Sequence, residues 1–332
     1  MKSYSMQIGS SQAALELRET ATPEPGPQQV LVRMRAAGLN RGEFIIGHGL
    51  HTAGVAKAIG MEGAGTIVKL GTEVASLKPG QRVMGRCPGA FAAYALMDVR
   101  EAIPMPASLG WEEAAAIPVT FIVVHDMLVI QGKLVPGEWV LVTGVSSGVG
   151  VAALQMAKAL DARVIGTSGS QHKLDSLKRH GLDVGLCTRT GDFFDAVMKA
   201  TGGKGVNLVV NVVGGSVFAE CMRVLAFEGR LATVGYIDGV LKSEIDIKAL
   251  HAKRLTLFGV SNKMRSAEQR AAGVPGFVAD LLPAIATGRI RPLIDRVFPF
   301  DQLAAAKAHM ESSRHLGKIV LALPAFTRGD ES

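Results

Sequence analysis

The chain has 332 residues, with 36 Lys and Arg against 29 Asp and Glu for a net charge of +7, and at about 150 residues per domain it has room for two hydrophobic cores. Apolar residues make up 48% and charged residues 20%, which excludes a disordered chain. Aromatics at 5% leave too few rings for a base-stacking platform, and the basic residues form no polybasic run, so no nucleic-acid partner is expected.

Taken in chain order, Val30 to Ala37 and Gly63 to Leu70 read as strands punctuated by turns such as Pro79-Gly80, giving a β-rich first third. From Pro118 the grammar changes. Apolar β runs at Val140 to Thr143, Arg163 to Thr167, Leu208 to Val213, Arg230 to Val234 and Leu255 to Phe258 alternate with helix-length segments, which predicts a parallel sheet covered on both faces. After Gly288 come a short strand at Arg296 to Phe298, a helix predicted to open on Asp301 as N-cap and run to Ser313, and a terminal strand at Lys318 to Leu323. That last strand needs a partner, so it is expected to return to the N-terminal β-rich region.

Three cysteines, Cys87, Cys187 and Cys221, are too far apart for a zinc ribbon and odd in number for a disulfide set. No charged and then apolar leader follows Met1, and apolar runs such as Phe121 to Val124 fall far short of a membrane span. A cytoplasmic protein without a membrane partner is therefore expected.

The strand Val140 to Thr143 runs into Gly144-Val-Ser-Ser-Gly-Val-Gly150 and then a helical Val151 to Leu160. Gly148, Gly150 and Ala153 fit the dinucleotide fingerprint, in which glycines let the backbone approach a pyrophosphate at a helix N-terminus. Ser146, Ser147, Gly148, Val149 and Gly150 are the predicted cradle. An NAD site places an acidic side chain at the tip of the next strand for the ribose 2′-hydroxyl. This chain instead has Ser168-Gly-Ser-Gln-His-Lys173, so Ser168, Ser170 and Lys173 are predicted to take a 2′-phosphate and the cofactor to be NADPH. The alternative is that the serines cap the following helix and Lys173 is solvated.

With these come Ala36-Ala-Gly-Leu-Asn40, Gly60-Met-Glu-Gly-Ala-Gly65, Lys78-Pro-Gly-Gln-Arg-Val83, Pro136-Gly-Glu138 and a closing Ala308 to Leu321 in fixed order. On these motifs nearly the whole chain resembles the medium-chain dehydrogenase/reductase superfamily, and more narrowly its zinc-free quinone oxidoreductase branch. The resemblance implies an α/β fold: a Rossmann-type doubly wound domain (118–288) inserted into a GroES-like β-rich domain built from both chain ends (1–117 and 289–332), with substrate bound between the two. It also implies that Asn40 and Met61 stand where zinc-dependent relatives have Cys and His ligands. Neither suits Zn²⁺, so no metal is expected. Three departures are Ser147 in place of a glycine, Thr188 where a Tyr often brackets the ribose phosphate, and His51 where a substrate-facing Tyr is common.

Without metal or covalent nucleophile, the expected chemistry is hydride transfer from NADPH to a quinone or to a carbon–carbon double bond conjugated with a carbonyl, the protein stabilising negative charge on the oxygen. Asn40 as amide donor and His51 as proton source are the catalytic candidates, with His48 ranked below. Phe44, Phe91 and Tyr94 either wall the substrate or pack in the core. A homodimer is expected through the edge strand at Leu255 to Val260. The competing reading is an NADPH-binding regulator or scaffold with little turnover.

Overall fold

The computed structural model describes residues 1–8, 13–45 and 55–324, so His48 and His51 lie outside the described residues. In chain order come β1 (Lys2–Ile8), β2 (Ala13–Glu19), β3 (Gln29–Gly38), β4 (Lys57–Ala58), β5 (Glu62–Leu70), β6 (Arg82–Arg86), β7 (Tyr94–Asp98), β8 (Ala102–Pro104) and α1 (Trp111–Ala115). Then follow α2 (Pro118–His125), β9 (Trp139–Thr143), α3 (Gly148–Ala159), β10 (Arg163–Ser168), α4 (Gln171–Lys178), β11 (Val184–Cys187), α5 (Phe194–Ala200), β12 (Val206–Asn211), α6 (Phe218–Arg223), β13 (Leu225–Thr233), α7 (Ile247–Ala252) and β14 (Thr256–Gly259). Helices α8 (Ala267–Ala271), α9 (Val274–Asp280) and α10 (Leu282–Ala286) precede β15 (Ile294–Pro299), α11 (Leu303–Glu311) and β16 (Lys318–Ala322).

Two compact units divide the chain: Met1–Val119, Ser266–Gly288 and Pro292–Ser332 form one, and Thr120–Arg265 with Arg289–Arg291 the other. The first unit is the GroES-like one. Its main sheet runs β15-β16-β3-β5-β6-β8, with β7 also paired to β3. Alternate residues of β3, Val30, Val32 and Met34, are fully buried, and they share a core with Ile67, Val83, Met97 and Leu321. Strand β16 joins antiparallel to β3, with Leu321 opposite Ala37. The apolar chain end thus finds the partner its backbone required.

The second unit is a parallel sheet ordered β11-β10-β9-β12-β13-β14, the doubly wound 3-2-1-4-5-6 order of dinucleotide-binding folds. Val140, Leu141 and Val142 are all fully buried, as expected of a strand with helices on both faces. The strand order reverses between β9 and β12, where Leu141 pairs with Ile165 on one side and Val209 on the other.

Two expectations are corrected. Residues 266–288 pack with the first unit and not the second. The buried Glu101 carboxylate lies 3.6 Å from Arg270 and 3.5 Å from Arg86, and Ser108 Oγ donates to Ala286 O at 2.9 Å. Asp301 is not an N-cap: α11 starts at Leu303 on Gln302, after a 3-10 turn at Phe300–Gln302. That turn drives Phe300 into the core, edge-on to Tyr4 with ring centroids 5.2 Å apart. Among the described residues, no helix is long and apolar enough to cross a membrane.

Candidate active site

The phosphate turn sits at the point where the strand order reverses. Ser147 is the N-cap of α3, and its Oγ accepts from Gly150 N at 3.0 Å. This cap consumes one of the N–H groups a helix start leaves open, while those of Gly148 and Val149 have no intrahelical acceptor. Among the described residues, no acceptor takes the Ser147 hydroxyl hydrogen. Gly150 is required by packing, since a Cβ there would stand 2.5 Å from Gly144 O and 2.6 Å from Val145 Cα. The cradle therefore offers an anion two backbone donors and one hydroxyl at a helix N-terminus, which fits a pyrophosphate.

Ser146 Oγ lies 3.2 Å from Ser168 Oγ, joining the turn to the tip of β10. Ser168 is buried and so engaged. Ser170 is the N-cap of α4, yet its side chain makes no capping hydrogen bond. The helix-cap alternative does not account for it. Lys173 lies in the first turn of α4 and is half-buried.

A second feature at the reversal point had no signature in the sequence. Thr143 and Asn211 are opposite each other on β9 and β12 and fully buried. Thr143 Oγ1 donates to Asn211 Oδ1 at 3.1 Å and accepts from Val212 N at 3.0 Å. The Asn211 amide takes the N–H groups of Val213 and Gly214 at 3.1 Å each and donates to Gly214 O at 2.9 Å. The loop leaving β12 is thereby locked in one shape beside the glycine turn.

In the first unit, Asn40 follows β3 and heads a 3-10 turn at Arg41–Phe44. Its amide donates to Glu43 Oε1 and to Glu62 Oε1, both at 2.9 Å. Both amide hydrogens are therefore spent on carboxyl oxygens, and Asn40 is not the open donor to substrate that its residue type suggested. Lys318 Nζ donates to Glu62 Oε1 at 2.7 Å and to Asn40 Oδ1 and Leu39 O at 2.9 Å each. Glu62 is 0% and Lys318 5% exposed, and the other Glu62 oxygen accepts from Val119 N at 2.7 Å. Gly38 makes room, because a Cβ there would stand 2.8 Å from Glu62 Oε1. Burial pushes the Glu43 carboxyl up to about 8, against the lowering effect of the Asn40 hydrogen bond and with the neighbouring Glu62 charge raising it further. Glu43 thus holds its proton at neutral pH while Glu62 and Lys318 form an ion pair.

The apolar candidates divide. Phe91 is fully buried and stacks on the 7%-exposed Phe44, with ring centroids 6.3 Å apart at 14°. Both belong to the β-rich core. Of the two readings, core packing describes Phe91, and Phe44 packs with it. Tyr94 opens β7 opposite Arg33 and is half-buried.

The family described as alcohol dehydrogenase GroES-like domain matches residues 26–107, and that described as zinc-binding dehydrogenase matches 148–273. Among curated proteins, the chain is 30% identical over 329 residues to the human synaptic vesicle membrane protein VAT-1 homolog, covering 94% of this chain and 84% of that one. It is 31% identical over 314 residues to quinone oxidoreductase-like protein 2 of Bos taurus, covering 92% and 88%. It is also 32% identical over 313 residues to a phenolphthiocerol/phthiocerol polyketide synthase protein of Mycobacterium tuberculosis, covering 94% of this chain and spanning 14% of the length of that one. Among solved structures, the CurK enoyl reductase matches at TM-score 0.85 and 26% identity over 97% of this chain and 99% of that one. The Pseudomonas syringae quinone oxidoreductase matches at 0.85 and 26% over 97% and 100%. A mycobacterial protein solved in complex with NADPH matches at 0.84 and 26% over 97% and 99%.

Proposed function

The chain belongs to the medium-chain dehydrogenase/reductase superfamily, in its quinone oxidoreductase-like branch, and on that premise we propose that it is an NADPH-dependent oxidoreductase for quinones or α,β-unsaturated carbonyl compounds that works without a metal. The observation that carries this reading is the glycine turn at the point of strand reversal, followed by a strand tip free of carboxylates. When bound, the nicotinamide cofactor supplies the hydride.

The chain's own groups do the holding. The N–H groups of Gly148 and Val149 and the Ser147 hydroxyl would take the pyrophosphate, and Ser170 and Lys173 the 2′-phosphate, with Ser146 and Ser168 bracing the two segments. Asn40 acts as a positioning group, tied to Glu43, Glu62 and Lys318. His51 is the candidate proton donor, an imidazole able to give a proton near neutral pH. Metal independence is supported by the chemistry of the Asn40 neighbourhood. The Lys318 ammonium already occupies the Glu62 carboxylate and the Asn40 oxygen, so a cation entering there would meet a fixed positive charge. The acceptor is proposed as a carbon made electron-poor by a conjugated carbonyl, a feature shared by quinones and enones. The proposal extends to a homodimer and a cytoplasmic location.

The test is NADPH and NADH oxidation with a small quinone and a small enone, each with and without a chelator. NADPH-preferring turnover of one acceptor that survives the chelator is expected. Tight NADPH binding without turnover across the panel would favour a regulator or scaffold, and stoichiometric zinc in the purified protein, with activity lost on its removal, would overturn the metal-free mechanism.

A further inference from the structure

The segment after β11 docks on the tip of β10. Thr188 N donates to Ser168 O at 3.0 Å. The Thr188 hydroxyl then closes a tight turn, donating to Asp192 Oδ1 at 2.5 Å and accepting from Thr190 N at 3.1 Å. The same hydroxyl, with that of Thr190, holds the Asp192 carboxyl below the usual carboxylate range. The carboxylate carried by this turn is therefore engaged inside the turn itself.

Arg189 is the turn's second residue. It is exposed, and its side chain lies over Gly169, the residue that follows β10. A Cβ at position 169 would stand 2.5 Å from Arg189 Nε and 2.6 Å from Cζ. The space a side chain would take at 169 is thus filled by the guanidinium. Among the described residues, no carboxylate or carbonyl accepts a hydrogen bond from that guanidinium. An exposed, unpaired, planar cation thus rests on the strand tip that carries Ser168 and leads into Ser170 and Lys173.

We infer that Arg189 is the specificity-determining arm of the cofactor site, its guanidinium gripping a 2′-phosphate across Gly169 together with Ser170 and Lys173. The inference rests on the NADPH reading above and deepens it. A guanidinium presents parallel donors that match two phosphate oxygens, and its plane lies flush only where the strand tip has no side chain. Glycine at 169 meets that condition. It also gives the Thr188 hydroxyl a purpose, because that hydroxyl staples the turn that presents Arg189.

The experiment measures dissociation constants of NADPH and NADH by fluorescence titration for the wild type, Arg189→Gln and Arg189→Lys, with 2′-AMP and 5′-AMP as competitors. Circular dichroism and the thermal midpoint verify folding. In Arg189→Gln, NADPH and 2′-AMP should weaken by about 10- to 100-fold, as expected for loss of charge-assisted hydrogen bonds, while NADH and 5′-AMP stay within about twofold. Arg189→Lys should fall between, keeping the charge and losing the plane. If the wild type prefers NADPH by about tenfold or more and Arg189→Gln leaves that preference intact, or weakens both cofactors equally, the role of Arg189 is overturned and the NADPH reading stands. If the wild type binds the two cofactors alike, the NADPH reading itself fails and takes this inference with it.

Discussion

Replacing Lys318 by Met tests how the polar cluster at Asn40 is held together. The side chain keeps its apolar stem but loses an ammonium that donates three hydrogen bonds of 2.7 to 2.9 Å, to Glu62, Asn40 and Leu39. Glu62 is then left as a fully buried charge without a counter-ion, held by the neutral donors Val119 N and the Asn40 amide. Removing one partner of a buried pair costs about 3 to 5 kcal/mol, a large part of the roughly 5 to 15 kcal/mol that holds a domain folded. The chain provides its own reporters, because its two tryptophans, Trp111 and Trp139, fall one in each unit. In a Trp139→Phe background, emission from Trp111 follows urea unfolding of the first unit alone. At roughly 1 to 3 kcal/mol per molar urea, the midpoint of Lys318→Met should drop by at least about 1 M. Adding Glu62→Gln should recover part of that loss, since no bare charge then remains in the core. A single-variant loss under about 1 kcal/mol, or a double variant as unstable as the sum of the singles, would refute the buried-pair account.

Three further outcomes are expected. The Glu43 carboxyl keeps its proton up to about pH 8 when folded, against an ordinary value of 4.5, so the folded chain binds one proton more than the unfolded chain between those limits. Stability should therefore fall as pH rises through that window, by up to about 1.4 kcal/mol per pH unit, and Glu43→Gln should flatten the slope; equal slopes in denaturation series would sink the idea. Gly150→Ala forces a Cβ to within 2.5 Å of Gly144 O and 2.6 Å of Val145 Cα, both backbone atoms. Titration should show NADPH and NADH weakened together by more than about tenfold, and unchanged binding would remove the turn from the site. Strand β14 is an edge of the six-stranded sheet, so sedimentation should give twice the 34.9 kDa chain mass; a single-chain mass would overturn the dimer.

The sequence alone determined what depends on neighbours along the chain. The alternation of apolar runs with helix-length segments, the glycine turn between β9 and α3 and the carboxylate-free tip of β10 were all legible, because strand pleat, helix pitch and tight turns are set by residues a few positions apart. The return of β16 to β3 was also readable, since an apolar strand without a partner cannot stay bare. Only the tertiary structure decided which polar groups meet. Asn40 looked like an open donor until Glu43 and Glu62 were found to take its amide hydrogens and Lys318, 278 residues away in sequence, its oxygen. Likewise, of wall and core it was core that took Phe91, residues 266–288 joined the first unit beside Glu101, and Arg189 came to rest on Gly169. The physical reason is that satisfying a buried charge, filling a core and covering a glycine are conditions on space. Side chains remote in sequence meet those conditions, and no local pattern records which ones do.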